Sequence, residues 1–307
     1  MILVMGVTGS GKSYFVNKVA ASAVMEGARL RAETEECQVV LVGVGCHEVG
    51  IVDTPGFDDT TKSDAEVLNE IVKFLCTQYR LDISLKGIIY LHRITDIRIT
   101  GSARRYFEMF QCLCGARNFK NVVLLTTMWS ELRDEATDLQ RERELRKDFW
   151  MTMERGGSTV RKFEGTRTEA EAIICRLMRE PDVTLEIQYE LVDEEKRLED
   201  TLAGKWMVPK IECAIGESEG ELQKLEVLIE EAEDGDKSDL RELKRERERI
   251  LDRQRRSLAQ LSERVDETKK KDKWKSRLAL FGTLLGVAIT VTVNIILPLA
   301  GVSLLAI

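Results

Sequence analysis

The sequence predicts a three-layer α/β domain with a mostly parallel sheet, followed by a charged helical arm and a C-terminal hydrophobic helix. Three observations carry this. Short apolar runs alternate with longer mixed stretches over residues 1 to about 180. Charged residues then become dense and apolar ones fall at helical spacing. Finally, residues 278–307 contain no charged side chain.

The first zone reads as strands at Ile2–Met5, Gln38–Val42, Val49–Val52, Gly87–Leu91 and Asn121–Thr126. Helix-like stretches fall between them at Ser13–Met25, Asp64–Tyr79 and Ser102–Leu113, with a later one at Thr168–Arg179 ending before Pro181. Buried runs alternating with helices build βαβ units, and those units build a parallel sheet. We take this domain as residues 1–182. The 307 residues are 43% hydrophobic and 32% charged, enough for one full domain and substantial further structure. A net charge of −7 argues against nucleic acid as a partner, because gripping a phosphate backbone needs a basic excess. The seven cysteines form no C-x-x-C pair, and the two histidines supply no zinc-ligand spacing, so reduced cytosolic thiols are expected.

Residues 183–277 form the charged arm. Apolar positions recur at Leu222, Leu225 and Ile229, then Leu240, Leu243 and Ile250, then Leu251, Leu258, Leu261 and Val265. The shift between Ile250 and Leu251 resembles a stutter, and Asp234-Gly235-Asp236 reads as a turn. Two outcomes fit: a hairpin folded back within the chain, or a coiled coil between chains. In residues 278–307, Leu278 to Leu297 match the ~20 residues needed to span a bilayer. Lys269–Arg277 before them is basic and carries Trp274, as a cytosolic membrane boundary requires. No N-terminal signal peptide is evident. The expectation is a transmembrane tail anchor in the lipid bilayer, with the domain on the cytosolic face.

The chemistry is concentrated in Gly6-Val7-Thr8-Gly9-Ser10-Gly11-Lys12-Ser13, which fits G-x-x-x-x-G-K-[ST] between a predicted strand and helix. Gly6, Thr8, Gly9, Ser10 and Gly11 let the backbone wrap phosphates with its N–H groups, and the following helix adds its positive end. Lys12 then reaches the β- and γ-phosphates, the Ser13 hydroxyl ligates Mg²⁺, and Tyr14 completes the first turn beside the nucleotide. Asp53-Thr54-Pro55-Gly56 follows a strand at the distance of a second phosphate motif. Asp53 is placed to hold Mg²⁺ through water, and the Gly56 N–H to sense the γ-phosphate. Lys12, Asp53 and Gly56 are therefore the candidate catalytic groups. Thr34, the only threonine between Ser13 and Asp53, is the candidate third metal ligand.

With its D-T-P-G-F continuation, the loop resembles the septin-like and AIG-type branch of the P-loop GTPases, in particular fungal G-domain-containing proteins. Val4–Ser13, Val52–Lys62, Ile88–Arg98 and Asn121–Trp129 carry the resemblance. It implies a six-stranded Ras-like fold with one antiparallel strand, GTP as ligand and Mg²⁺ as cofactor. The sequence departs from that pattern in three places. Where guanine specificity resides in an [NT]-K-x-D motif, it reads Thr127-Met128-Trp129-Ser130, which leaves ATP open; Trp129 is either a base-stacking ring or a core residue. Phe57 replaces a water-orienting glutamine, so intrinsic hydrolysis should be slow, with Asp58, Asp59, Thr60 and Thr61 as possible helpers. No motif fixes Thr34, whose neighbours Glu33, Glu35 and Glu36 are anionic.

After the fourth strand, Arg93 and Arg98 are either charge-stabilising fingers or ion-pair partners of Asp96. The expected function is a slow, membrane-tethered GTPase switch, with a possible homodimer through the G domain or the arm. Two alternatives stand beside it: a catalytically weak nucleotide-binding scaffold, and an ATPase.

Overall fold

The computed structural model describes residues 1–20, 36–58, 62–96, 99–131, 135–232 and 237–262. Its sheet has six strands in the order β2-β3-β1-β4-β5-β6. They are β1 (Ile2–Gly6), β2 (Gln38–Val44), β3 (His47–Asp53), β4 (Gly87–Arg93), β5 (Val122–Thr127) and β6 (Thr159–Lys162). All neighbours pair in parallel except β2, an edge strand that runs antiparallel to β3 from Gln38↔Asp53 to Val44↔His47. This is the six-stranded, Ras-like arrangement with one reversed strand.

Burial on both faces explains the uninterrupted apolar runs of the central strands. In β1, Leu3 and Met5 enter the core beneath α2 (Asp64–Arg80) and α3 (Gly101–Cys114), while Ile2 and Val4 enter the core beneath α1 (Lys12–Ala20) and α6 (Arg167–Met178). Trp150 and Met153, around the short α5 (Met151–Arg155), join the first core; α4 (Glu135–Leu145) precedes them. Helix starts carry their own signals. Ser63 and Glu66 form a reciprocal capping box on α2, and Thr166 and Glu169 do so on α6.

Sequence reading missed β6, a short edge strand whose exposed Arg161 and Lys162 hide any apolar periodicity. The predicted helix Ser13–Met25 is described only as Lys12–Ala20. Beyond Pro181 the chain stays on the domain: Val183, Leu185, Ile187, Leu191 and Leu198 are buried in the first core, around the single-turn α7 (Glu186–Gln188).

The arm is two helices, α8 (Leu202–Glu231) and α9 (Lys237–Ser262), paired antiparallel within the chain. Ser218 and Gln254 share a 3.0 Å hydrogen bond, and Glu219–Arg255, Glu221–Arg247 and Glu226–Lys244 each form a 2.8 Å ion pair across the seam. The hairpin alternative is thus the one observed, and it adds two details to the sequence reading. Helix α8 begins twenty residues before Leu222, capped by the Thr201 side chain on Gly204 N–H at 3.0 Å. No stutter is needed either, because Leu240, Lys244, Arg247, Leu251, Gln254, Leu258 and Leu261 step along α9 by four and three, while Ile250 and Ser257 turn to the domain. Lys244, Arg247 and Gln254 belong to the seam because α8 offers each a polar partner, whereas Leu243 is 50% exposed.

Helix α9 also returns to the domain, with Leu261 buried in the first core and Ser257 Oγ 2.7 Å from Ser63 Oγ. Asp234-Gly235-Asp236, Val265, Lys269–Arg277 and the predicted membrane span lie outside the described residues. Among the described residues no helix is long and apolar enough to cross a membrane.

Candidate functional site

In open α/β sheets, ligands bind beyond the carboxyl ends of the strands. The ends of β1, β3, β4 and β5 converge here, and each delivers one predicted segment. The loop from Gly6 to Gly11 leaves β1 and feeds α1. At Gly6, φ is +148° and an added Cβ would stand 2.5 Å from the Leu91 carbonyl oxygen, so the chain can turn there only without a side chain. The Thr8 and Ser10 hydroxyls are buried and find no hydrogen-bond partner among the described residues. Two orphaned hydroxyls inside one glycine-rich turn fit a loop shaped to receive a polar ligand. Buried Lys12 turns its ammonium onto the carbonyl oxygens of Gly6 at 3.2 Å and Val7 at 3.1 Å, inside the same loop.

Asp53, at the end of β3, meets this loop directly. The Ser13 hydroxyl donates to Asp53 Oδ2 at 2.6 Å, so the two predicted metal ligands already converge. One hydroxyl and one carboxylate form a hard-oxygen donor set that suits Mg²⁺, which usually takes one or two carboxylates and leaves other positions to water and phosphate. Thr34 lies outside the described residues. The following turn is fastened to β1 by Thr54, whose hydroxyl donates to the Val4 carbonyl at 2.8 Å.

Gly56 is pressed against the phosphate loop, where an added Cβ would lie 2.7 Å from both Thr8 Cα and Thr8 N. Beside it, the Thr8 N–H donates to the Phe57 carbonyl at 2.8 Å. Phe57 itself points into the core, 1% exposed, with its ring stacked on Tyr106 at 5.3 Å between centroids. No polar atom of that side chain can orient water. Asp58 turns to α3, accepting from Ser102 at 3.2 Å; Asp59, Thr60 and Thr61 lie outside the described residues.

On the far side of the loop, Thr127 donates to the Ser10 carbonyl at 2.9 Å, tying β5 to the phosphate loop. Met128 adopts a φ of +63°, rare for a side chain of this kind and concentrated at functional turns. Trp129 is half-buried, so the core alternative does not describe it. Its indole N–H donates to Thr126 at 3.0 Å, and the Lys162 ammonium stands 4.3 Å over the ring. The loop after β6 completes this side: an added Gly165 Cβ would lie 2.7 Å from the Tyr14 hydroxyl, and Phe163 meets Tyr14 edge-on at 6.2 Å. Residues 163–166 were missed with β6. The Gly165-Thr166 break before the Glu169 capping partner was the available signal.

Arg93 forms a 3.1 Å ion pair with Asp96, and its guanidinium lies 3.2 Å from where a Gly9 Cβ would stand. The ion pair is thus present, and it holds the cation over the phosphate loop, where the charge-stabilising role stays open to it. Arg98 lies outside the described residues. Next to Arg93, His92 is buried against Trp150, and burial lowers its pKa to about 4.

Against known proteins, the chain is 27% identical over 130 residues to Translocase of chloroplast 90 of Arabidopsis thaliana, covering 41% of this chain and 16% of that one. The chain thus spans a small fraction of that relative's length. Among solved structures it is similar to Toc33 of Arabidopsis thaliana in complex with GDP and Mg²⁺, at 18% identity and a TM-score of 0.48, covering 60% of this chain and 86% of that one. Toc33 with Mg²⁺ and GMPPNP gives 18% and 0.47, covering 60% and 87%. The model of the AIG1 family matches residues 1–147. That match starts before the phosphate loop and runs past α4, so this stretch of the chain is similar to the AIG-type P-loop GTPases.

Proposed function

We propose that this chain is a GTP-binding protein with slow, Mg²⁺-dependent GTP hydrolysis that acts as a membrane-tethered switch. The observation that carries the reading is the 2.6 Å approach of Ser13 to Asp53 beneath a loop holding two orphaned hydroxyls. Toc33, a structural relative of this fold, has been crystallised with GDP or GMPPNP and Mg²⁺. Gly6–Ser13, with Tyr14, would cradle the phosphates, and Thr127–Trp129 would face the base. Ser13 and Asp53, with Thr34, would hold the cation. A cation held there would supply positive charge beside the transferring phosphoryl group. Lys12 would leave the Gly6 and Val7 carbonyls for the phosphate oxygens. The Gly56 N–H would report whether the terminal phosphate is present.

Signal transmission has a physical route in the same residues. Phe57 follows Gly56 and stacks on Tyr106; the Tyr106 hydroxyl donates to Asp64 at 2.9 Å, and adjacent Ser63 touches Ser257 of the arm. A change at Gly56 is therefore passed to the hairpin through side chains in contact. The division into a domain, an arm and an anchor (278–307) belongs to this proposal, with residues 183–198 counted with the domain they pack into rather than with the arm. So do the cytosolic face of a membrane and a homodimer through the G domain or the arm.

The buried Phe57 side chain favours one competitor, a nucleotide-binding scaffold with little turnover. Phosphate release by the full chain with saturating GTP and Mg²⁺ separates the two. Slow release abolished by Lys12→Ala supports the switch, and tight binding with no release establishes the scaffold.

A further inference from the structure

A cavity of about 510 Å³ opens where the arm meets the domain, bounded by the N-terminal end of α2, α3 and both arm helices. That size lies within the range of small-ligand sites, roughly 300–1,000 Å³. Its walls are mostly apolar, with Met207 and Ile211 on α8 facing Ile250 on α9. Three cations from three different helices also reach it: Arg105, Lys210 and Arg253. Among the described residues, none of these three forms an ion pair. Lys210 instead stands over the Trp206 ring, and burial pulls its pKa down. Two carboxylates line the space, but both are engaged. Asp64 accepts the Tyr106 hydroxyl, and Glu217 lies 3.8 Å from Cys213 Sγ.

We propose that this cavity binds a single-chain anionic amphiphile, its apolar body against Met207, Ile211 and Ile250 and its anionic head held by Arg105, Lys210 and Arg253. The apolar walls disfavour a fully polar anion, which would lose its hydration without replacement. The three cations favour an anionic head over a neutral one by charge attraction. Because α3 of the domain and both arm helices contribute, occupancy clamps the hairpin against the domain. The proposal stands apart from the nucleotide reading and survives if that reading fails.

The test uses the full chain and the fluorescent probe 11-(dansylamino)undecanoic acid below its micellar concentration, with its methyl ester as the uncharged control. Saturable binding of the acid is expected, with the ester about tenfold weaker, as befits one lost charge-assisted contact. Arg253→Glu, an exposed change, should weaken the acid about tenfold and leave the ester within about twofold. Ile211→Trp, which fills the cavity, should weaken both about tenfold or more. Equal affinity for acid and ester, or acid binding unmoved by Arg253→Glu, overturns the proposal. Probe binding unchanged in a folded Ile211→Trp protein also overturns it, since the probe then sits elsewhere. Should Ile211→Trp fail to fold, the Arg253→Glu and ester arms decide alone.

Discussion

Replacing Gly56 by alanine should disturb the site severely. The added Cβ would stand 2.7 Å from Thr8 Cα and from Thr8 N, whereas ordinary contact begins near 3.4 Å. The overlap is about 0.7 Å against two backbone atoms, neither of which can rotate away. The turn must move off the phosphate loop, which breaks the 2.8 Å bond from the Thr8 N–H to the Phe57 carbonyl. Overpacking of this kind costs about 1–3 kcal/mol and the lost hydrogen bond about 1 kcal/mol, together roughly 2–4 kcal/mol. For a folded unit of this size each kcal/mol lowers Tm by about 2–4 °C, so circular dichroism should record a fall of roughly 5–15 °C. Nucleotide affinity should drop with it, because the same displacement opens the phosphate loop. A variant melting within about 2 °C of wild type would refute the claim that this turn is locked onto Thr8.

Three further outcomes follow from particular side chains. His92 is held neutral in the folded chain with a pKa lowered to about 4, against 6.5 unfolded; between those values only the unfolded chain takes up the proton. Stability should therefore fall by about 3 kcal/mol as pH drops from 6.5 to 4, and denaturant titrations of His92→Gln should lose that component of the pH slope. An unchanged slope would place the titration elsewhere. Glu190 is buried and accepts the Leu202 N–H with both carboxylate oxygens at 3.1 Å, at the start of α8. Glu190→Ala strands that helix end and Lys196, and should cost about 2–4 kcal/mol in denaturant unfolding, whereas Lys196→Ala at the exposed end of the pair should cost much less. Arg93→Ala should reduce GTP turnover by about 10²-fold with little change in nucleotide affinity, the signature of a contact made only in the transition state. Equal losses in binding and turnover would assign Arg93 to ground-state binding.

How much of this was legible in the sequence depended on how local the signal was. The Gly6–Ser13 loop and the Asp53–Gly56 turn are contiguous motifs, and each lies at the end of a strand where the spacing predicts it. The central strands were equally plain, since burial on both faces leaves long apolar runs at Ile2–Met5 and Val122–Leu125. Edges and seams were not. Strand β6 has exposed charged residues and takes its identity from pairing with β5, a partner remote in sequence. The arm seam uses Lys244, Arg247 and Gln254, which read as surface until their partners on α8 are known. Trp129 could not be placed from its neighbours, because Lys162 and Thr126 reach it from two different strands. The cavity between arm and domain was invisible for the same reason: its walls come from four helices.

The central claim is that Gly6–Ser13 and Asp53–Gly56 form one nucleotide–Mg²⁺ site with a guanine preference. The most direct test is equilibrium titration of the full chain with GTP and with ATP, each with and without Mg²⁺, beside Asp53→Asn. The account predicts that GTP binds about tenfold or more tightly than ATP, and that Mg²⁺ strengthens GTP binding in wild type but not in Asp53→Asn. Equal affinity for the two nucleotides would contradict the guanine preference, and GTP binding indifferent to both Mg²⁺ and Asp53 would contradict the site itself.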